Sequence, residues 1–218
     1  MKLILVRHGE TIWNRQMRLQ GQKDIPISKT GLVQAKLLAK KLSKEKIDVI
    51  YTSRLQRTIK TADEIKKFHK NVRLIKEKSL NEMSWGIWEG LKLSQKNKKF
   101  RELQEVRDKD VFKYNAPKAK DFFNFIVPGG ESQKMLKDRV KKILKKIIKQ
   151  NKDKTILIAG HGGVNRAILG ILLKWSNEKV LSVRLNNASI TVLNIKDNKI
   201  RINMFNSGHH LKNGSMPC

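Results

Sequence analysis

The 218-residue chain contains one cysteine, Cys218. A disulfide within the chain is therefore excluded, and so is a zinc site built from clustered thiolates. No run approaches the roughly 20 apolar residues that span a bilayer. The first apolar stretch, Leu3-Ile4-Leu5-Val6, ends at Arg7. A secretory leader needs an apolar core of roughly 7–15 residues, so this stretch reads as a buried strand and the chain is expected in the cytoplasm. Acidic residues are scarce, 19 against 48 basic, which gives a formal net charge of +29. That charge alone would suit nucleic acid, a membrane surface or an anionic substrate. It is carried mostly by lysines spread along amphipathic segments, and no nucleic-acid recognition motif accompanies it. It therefore reads as a chain-wide bias, with no specific nucleic acid and no membrane as partner. No complete G-x-G-x-x-G occurs and no G-x-x-x-x-G-K-[ST], so neither a dinucleotide loop nor an ATP-binding P-loop is indicated. His209-His210 lacks a second ligand cluster beside it. No metal and no cofactor is expected.

What the chain does have is a core: 39% hydrophobic residues under a surface fed by 31% charged ones. Short apolar runs at residues 2–6, 48–51, 72–75 and 155–159 read as strands. Helical spacing of apolar residues marks residues 31–44, 55–68, 132–150 and 164–173 as helices. Ser28 and Thr30 offer caps for the first of these. Residues 190–195 and 199–205, around Asp197-Asn198, read as a hairpin. The alternation predicts an α/β three-layer sandwich, with a mainly parallel central sheet and helices on both faces. Residues 92–130 differ: basic at first, then carrying Phe112, Tyr114, Phe122, Phe123 and Phe125, then broken at Pro128-Gly129-Gly130. They read as a small, mostly helical cap inserted into a single domain over residues 1–218. Residues 7–26 and 80–90 read as loops, and the tail from residue 207 shows turn composition without a core pattern.

Two tracts carry chemistry. Arg7-His8-Gly9-Glu10-Thr11 follows the first strand, and Ala159-Gly160-His161-Gly162-Gly163 ends the strand at residues 155–159. Ligands of open α/β sheets collect at the carboxyl ends of strands. Two histidines at two such ends can meet across one pocket, with the forked guanidinium of Arg7 suited to phosphate oxygens.

These tracts, with Trp13-Asn14 and Gln20-Gly21, resemble the signature of the histidine phosphatase superfamily, also called phosphoglycerate-mutase-like. Ser53-Arg54-Leu55-Gln56-Arg57-Thr58, Glu82 with Gly86 and Trp88-Glu89-Gly90, and Pro128-Gly129-Gly130-Glu131-Ser132 resemble its other elements, in order along nearly the whole chain. The resemblance implies His8 as the nucleophile that takes the phosphoryl group. Arg7, Arg57 and His161 would then neutralise the phosphoryl oxygens, and Asn14 would add a neutral donor. Gln20, Gly21, Gly9 and Gly162 would complete the substrate side, the glycines by letting backbone N–H groups approach. Glu82 is the implied acid and base. Glu10 is the alternative, better suited to orienting its loop, and Glu89 a third, structural one. Trp13, Trp85 and Trp88 either line the pocket or pack. His210-Leu211 resembles members whose terminal segment folds over the pocket.

Glycolytic mutases have Glu-Arg-His-Tyr-Gly where this chain has Glu82-Met83-Ser84-Trp85-Gly86. Without that arginine and tyrosine, the resemblance implies a metal-independent phosphomonoesterase acting on a small phosphorylated metabolite. The alternatives are a cofactor-dependent phosphoglycerate mutase and a non-catalytic phospho-ligand-binding module. A homodimer is left open.

Overall fold

The structure, a computed structural model, describes residues 1–92, 123–197 and 199–211. Its strands are β1 (Lys2–Arg7), β2 (Val49–Thr52), β3 (Arg73–Lys76), β4 (Thr155–Gly160), β5 (Ile190–Lys196) and β6 (Lys199–Ser207). They form one sheet in the order β3-β2-β4-β1-β5-β6. The first four run parallel, while β5 pairs antiparallel with β1 and β6 antiparallel with β5. The helices are α1 (Ile12–Arg15), α2 (Lys29–Leu42), α3 (Gln56–Lys66), α4 (Gln133–Gln150), α5 (Gly162–Leu172) and α6 (Asn177–Ser182).

Successive strand residues face opposite sides of a sheet, and here both sides are covered. Leu3, Leu5, Val49, Tyr51, Ile156 and Ile158 bury against Leu136, Val140, Ile143, Leu144 and Ile147 of α4 and Val164 and Ile168 of α5. Ile4, Val6, Ile50, Leu157 and Ala159 bury against Leu38, Ala39 and Leu42 of α2 and Ala62 and Ile65 of α3. That is why the central strands are apolar at every position rather than alternating. Each such side chain contributes roughly 1.5–3 kcal/mol by leaving water. The longer helices start where a serine can satisfy a free backbone N–H. Ser28 Oγ accepts from Gly31 N at 3.0 Å, and Ser132 Oγ accepts from Met135 N at 3.1 Å.

Several details depart from the sequence expectation. The loop expected at residues 7–26 contains α1, a single turn closed by a reciprocal cap between Thr11 and Asn14. Residues 80–90 include a 3-10 turn at Gly86–Trp88. Helix α6 was not expected, because six residues after the Ser176 cap are too few to show a period. The tail has more core than its composition indicated: His209–Leu211 makes a 3-10 turn against α2, and Leu211 packs on the second cluster. Of the cap expected at residues 92–130, residues 93–122 lie outside the described residues. Its trailing part is anchored, since Phe125 is buried and stacks on Trp88 with ring centroids 5.7 Å apart.

The register fixes where the site falls. Arg7 lies opposite Gly160, and Thr52 opposite Ala159. His8, His161 and Ser53 therefore emerge from three neighbouring parallel strands at their carboxyl ends. The Gly9-Glu10 turn is seated on the start of α2, where Ser28 N donates to Glu10 O at 2.8 Å. A Cβ on Gly31 would collide with Glu10 O and stand 2.7 Å from Glu10 N. Because both obstacles are backbone, Gly31→Ala should destabilise the protein by about 1–3 kcal/mol, the usual cost of overpacking. Urea unfolding monitored by circular dichroism measures it. An unchanged midpoint would show that the turn does not depend on this contact.

Candidate active site

His8 is 3% exposed. Its Nδ1 lies 2.7 Å from Gly9 O. A carbonyl oxygen can only accept, so Nδ1 carries the hydrogen and the neutral ring keeps its lone pair on Nε2. Burial holds the ring well below the ordinary histidine pKa, and the charges of Arg57 and Arg7 push the same way. His8 is therefore an uncharged imidazole with Nε2 unprotonated. Its backbone is fixed too: His8 N donates to Gly160 O at 3.0 Å, and His8 O accepts from Ala188 N and from Asn187 Nδ2.

Two guanidinium groups flank it. Arg7 Nη1 donates to Leu185 O at 2.6 Å. Arg57 Nη1 donates to Lys23 O at 2.8 Å and its Nη2 to Gly21 O at 2.7 Å. Burial lowers the Arg7 pKa to about 10, with Glu82 opposing the shift, so the group stays charged at neutral pH. Arg57 is lowered by burial as well. His161 is fully buried, its ring centroid 5.3 Å from that of His8. Burial holds it well below the ordinary value, and the charges of Arg57, Arg7 and Arg139 push the same way. Arg7 Nε, Arg57 Nε and His161 Nδ1 are buried without a hydrogen-bond partner. Buried polar nitrogens are almost always paired. Two of these three belong to the buried guanidiniums themselves, and forked donors so placed suit an oxyanion such as a phosphoryl group.

Glu82 completes the cluster. Its Oε2 accepts from Gly163 N at 3.0 Å and its Oε1 from Met83 N at 2.9 Å. An ideal Cβ on Gly162 would stand 3.8 Å from Arg7 Nε and 4.0 Å from Glu82 Oε2, so Gly162 sits between the two. The Glu82 segment is braced from α4. Arg139 pairs with both Glu131 oxygens at 2.7 and 2.9 Å, and also donates to Ser79 O and Glu82 O.

The structure thus brings together His8, Arg7, Arg57, His161, Glu82 and Gly162. The other expected residues stand one step back. Asn14 Oδ1 accepts from Thr11 N and from Asn187 Nδ2, which also reaches His8 O. Gln20 Oε1 accepts from Thr11 Oγ1 at 2.9 Å. Gly21, at φ +54°, offers its carbonyl to Arg57. The N–H of Gly9 is taken by Thr61 Oγ1 at 3.1 Å, and its missing side chain serves packing against Gly31. Glu10 pairs with Arg15 and accepts from Ser28 Oγ. Glu89 Oε1 ties Gln22 N to Trp85 N. Trp88, 1% exposed, is core. His210 is half-buried on α2, and among the described residues no group of three or more His, Cys, Asp or Glu could hold a metal ion. Sequence reading missed Asn187, Ser53, Thr58 and the Arg139–Glu131 brace. Asn187 stands just before the expected hairpin, in a stretch that no motif marks. The brace pairs residues from a loop and a helix that no local pattern links.

Residues 3–208 match the model of the histidine phosphatase superfamily, branch 1. Phosphoserine phosphatase 1 of Hydrogenobacter thermophilus is 36% identical over 211 residues, covering 97% of this chain and 94% of that protein. A metal-independent phosphoserine phosphatase of Arabidopsis thaliana is 33% identical over 211 residues, covering 96% and 83% respectively. A phosphoserine phosphatase mutant from Entamoeba histolytica, solved with phosphoserine, superposes with a TM-score of 0.76 at 29% identity over 96% of this chain and 98% of that one.

Two buried neutral histidines make stability depend on pH. Their folded-state pKa values lie below the unfolded value of about 6.5. Below that pH the unfolded chain binds protons that the native state refuses, so stability is lost as pH falls. Each histidine contributes up to about 1.4 kcal/mol per pH unit there. Unfolding free energies measured from pH 7.5 to 5.5 should fall, and the fall should be shallower in a His8→Gln/His161→Gln double variant. Parallel curves for the two proteins would mean that both rings are protonated in the native state.

Proposed function

The chain belongs to branch 1 of the histidine phosphatase superfamily and is a phosphoric monoester hydrolase; from that premise we propose that it works through a phosphohistidine on His8 and that phosphoserine is its substrate. The observation that carries this is the Nδ1–H of His8 tied to Gly9 O, which leaves Nε2 as a neutral nucleophile between two buried guanidiniums. In the first step Nε2 attacks phosphorus, the P–N bond forms and the P–O bond to the alcohol breaks. Arg7, Arg57 and His161 balance the charge on the three phosphoryl oxygens. The departing oxygen needs a proton, and Glu82 in its acid form gives it. In the second step Glu82 takes a proton from water, water attacks phosphorus, and phosphate leaves with His8 neutral again. No step calls for a metal ion.

Phosphoserine is favoured because two relatives that match over most of both chains, at 36% and 33% identity, are named phosphoserine phosphatases. Hydrolysis is favoured over mutase transfer because Met83, at the place of the mutase arginine, is 2% exposed in the core and offers no charge to an acceptor carboxylate. We read residues 1–218 as a single unit, cytoplasmic, with the cap at about 92–130 choosing the substrate.

Phosphate release from phosphoserine, 3-phosphoglycerate and nitrophenyl phosphate, assayed with and without chelator, tests the reading. Phosphoserine should turn over at a rate the chelator does not change. A strict need for added divalent ion would contradict the scheme, and so would isomerisation of phosphoglycerate outrunning phosphate release tenfold. Arg7→Ala, Arg57→Ala and His161→Ala should each slow turnover by two orders of magnitude or more, about 3 kcal/mol. For Glu82→Gln the loss should be large with phosphoserine and smaller with nitrophenyl phosphate, whose leaving group needs little protonation. Equal losses on both esters would remove Glu82 from the acid role.

A further inference from the structure

Four contacts meet around Ser53 at the carboxyl end of β2. Leu55 N donates to Ser53 Oγ at 3.1 Å. Ser53 Oγ lies 2.6 Å from Thr58 Oγ1, and Thr58 Oγ1 lies 2.8 Å from Leu55 O. His161 Nε2 lies 2.8 Å from Ser53 Oγ. Ser53, Thr58 and His161 are each fully buried. In a dry site two oxygens at such distances repel unless a hydrogen lies between them.

The hydrogens can be counted. A carbonyl oxygen only accepts, so the single hydroxyl hydrogen of Thr58 goes to Leu55 O. The contact between the two hydroxyls must then hold the hydrogen of Ser53. Ser53 has none left for His161, so His161 Nε2 must be the donor. Every contact then carries one hydrogen, and Ser53 Oγ accepts two and donates one. If Ser53 instead donated to His161, either the two hydroxyl oxygens or Thr58 and the carbonyl would face each other bare.

A neutral imidazole has one N–H. With that hydrogen on Nε2, Nδ1 of His161 keeps a lone pair. Nδ1 is also buried without a hydrogen-bond partner. A lone pair repels an oxyanion, whereas an N–H would bind it. We propose that Ser53 and Thr58 are positioning residues that hold His161 in its Nε2–H tautomer, so that an oxyanion reaching Nδ1 binds only as the ring takes up one proton. The inference rests on the reading of this cluster as the phosphoryl pocket.

The groups around His161 give the coupling its sign. Arg7 and His8 face it from the end of β1, Arg57 from α3 and Arg139 from α4. The Glu82 carboxylate accepts from Gly163 N, two residues along from His161. Burial and the three arginine charges keep the ligand-free ring uncharged. A dianion among the same groups reverses the balance and favours the imidazolium.

Sulfate is the probe, because it stays a dianion across the neutral range and brings no proton of its own. Three measurements are combined: 15N spectra of histidine-labelled protein, sulfate calorimetry in buffers of different ionisation enthalpy, and the same on Thr58→Val. Free His161 should show the Nε2–H tautomer. Sulfate should bind with uptake of about one proton, and the spectra should place it on His161 rather than His8. In Thr58→Val the Ser53 hydroxyl is released to donate to His161 Nε2. The tautomer should switch to Nδ1–H, and proton uptake should fall toward zero. Affinity should lose its tenfold fall per pH unit, and Thr58→Ser should restore all three. An Nδ1–H tautomer in the free wild-type protein overturns the proposal, as does sulfate binding without proton uptake. Those two readings need no variant to fold. Failure of wild-type protein to bind sulfate at all overturns the pocket reading and takes the coupling with it.

Discussion

Two guanidinium groups are buried near one another with the Glu82 carboxylate acting on both, and the rest of the site is built around that arrangement. Burial and the charge of Arg57 both lower the Arg7 pKa, and Glu82 is the group that opposes them. An ion so placed persists only if its N–H groups are satisfied. The chain meets this with backbone carbonyls: Leu185 O for Arg7, and Lys23 O and Gly21 O for Arg57. Those carbonyls are held in turn. Glu89 ties down Gln22, beside Gly21, and Asp24 Oδ1 accepts from Gln56 N at 2.7 Å at the start of α3, next to Arg57. What remains unsatisfied is one Nε on each arginine and Nδ1 of His161.

A positive socket held this way has two consequences. In the proposed mechanism it receives a doubly charged oxyanion, and burial with the charges of Arg57 and Arg7 keeps the His8 ring neutral. The first supplies binding and transition-state stabilisation from the same groups, already in place before the substrate enters. The second supplies the nucleophile, since only an unprotonated Nε2 can attack phosphorus. Both depend on the sheet. Without β4 paired beside β1 in the register Arg7 to Gly160, the two histidines would not lie 5.3 Å apart.

The sheet and the main helices were legible because their signal is local. Apolar runs of four or five residues gave the central strands, and serine caps before amphipathic periods gave α2 and α4. The core of the site was legible because glycine-flanked histidines at strand ends meet only in a parallel sheet, and because the five motifs occur in order. What was not legible is the layer that holds the site in place. Asn187 reaches His8 O across 179 residues, and Arg139 reaches Ser79 O across 60. Such contacts leave no trace in local spacing. Gly9 and Gly21 were expected beside substrate. In the structure Gly9 packs against Gly31, and Gly21 gives its carbonyl to Arg57. Ser53 and Thr58 lay inside a motif read for its arginine, and their role appears only when hydrogens are assigned.

The central claim is that the uncharged Nε2 of His8 attacks phosphorus, and trapping the covalent intermediate tests it most directly. Protein mixed with phosphoserine, quenched in alkaline denaturant within milliseconds and digested should yield one phosphopeptide. Its phosphate should sit on His8, survive alkali and be lost in acid. Steady turnover with no phosphoryl group on His8 at any quench time, or with the label on another residue, would contradict the account.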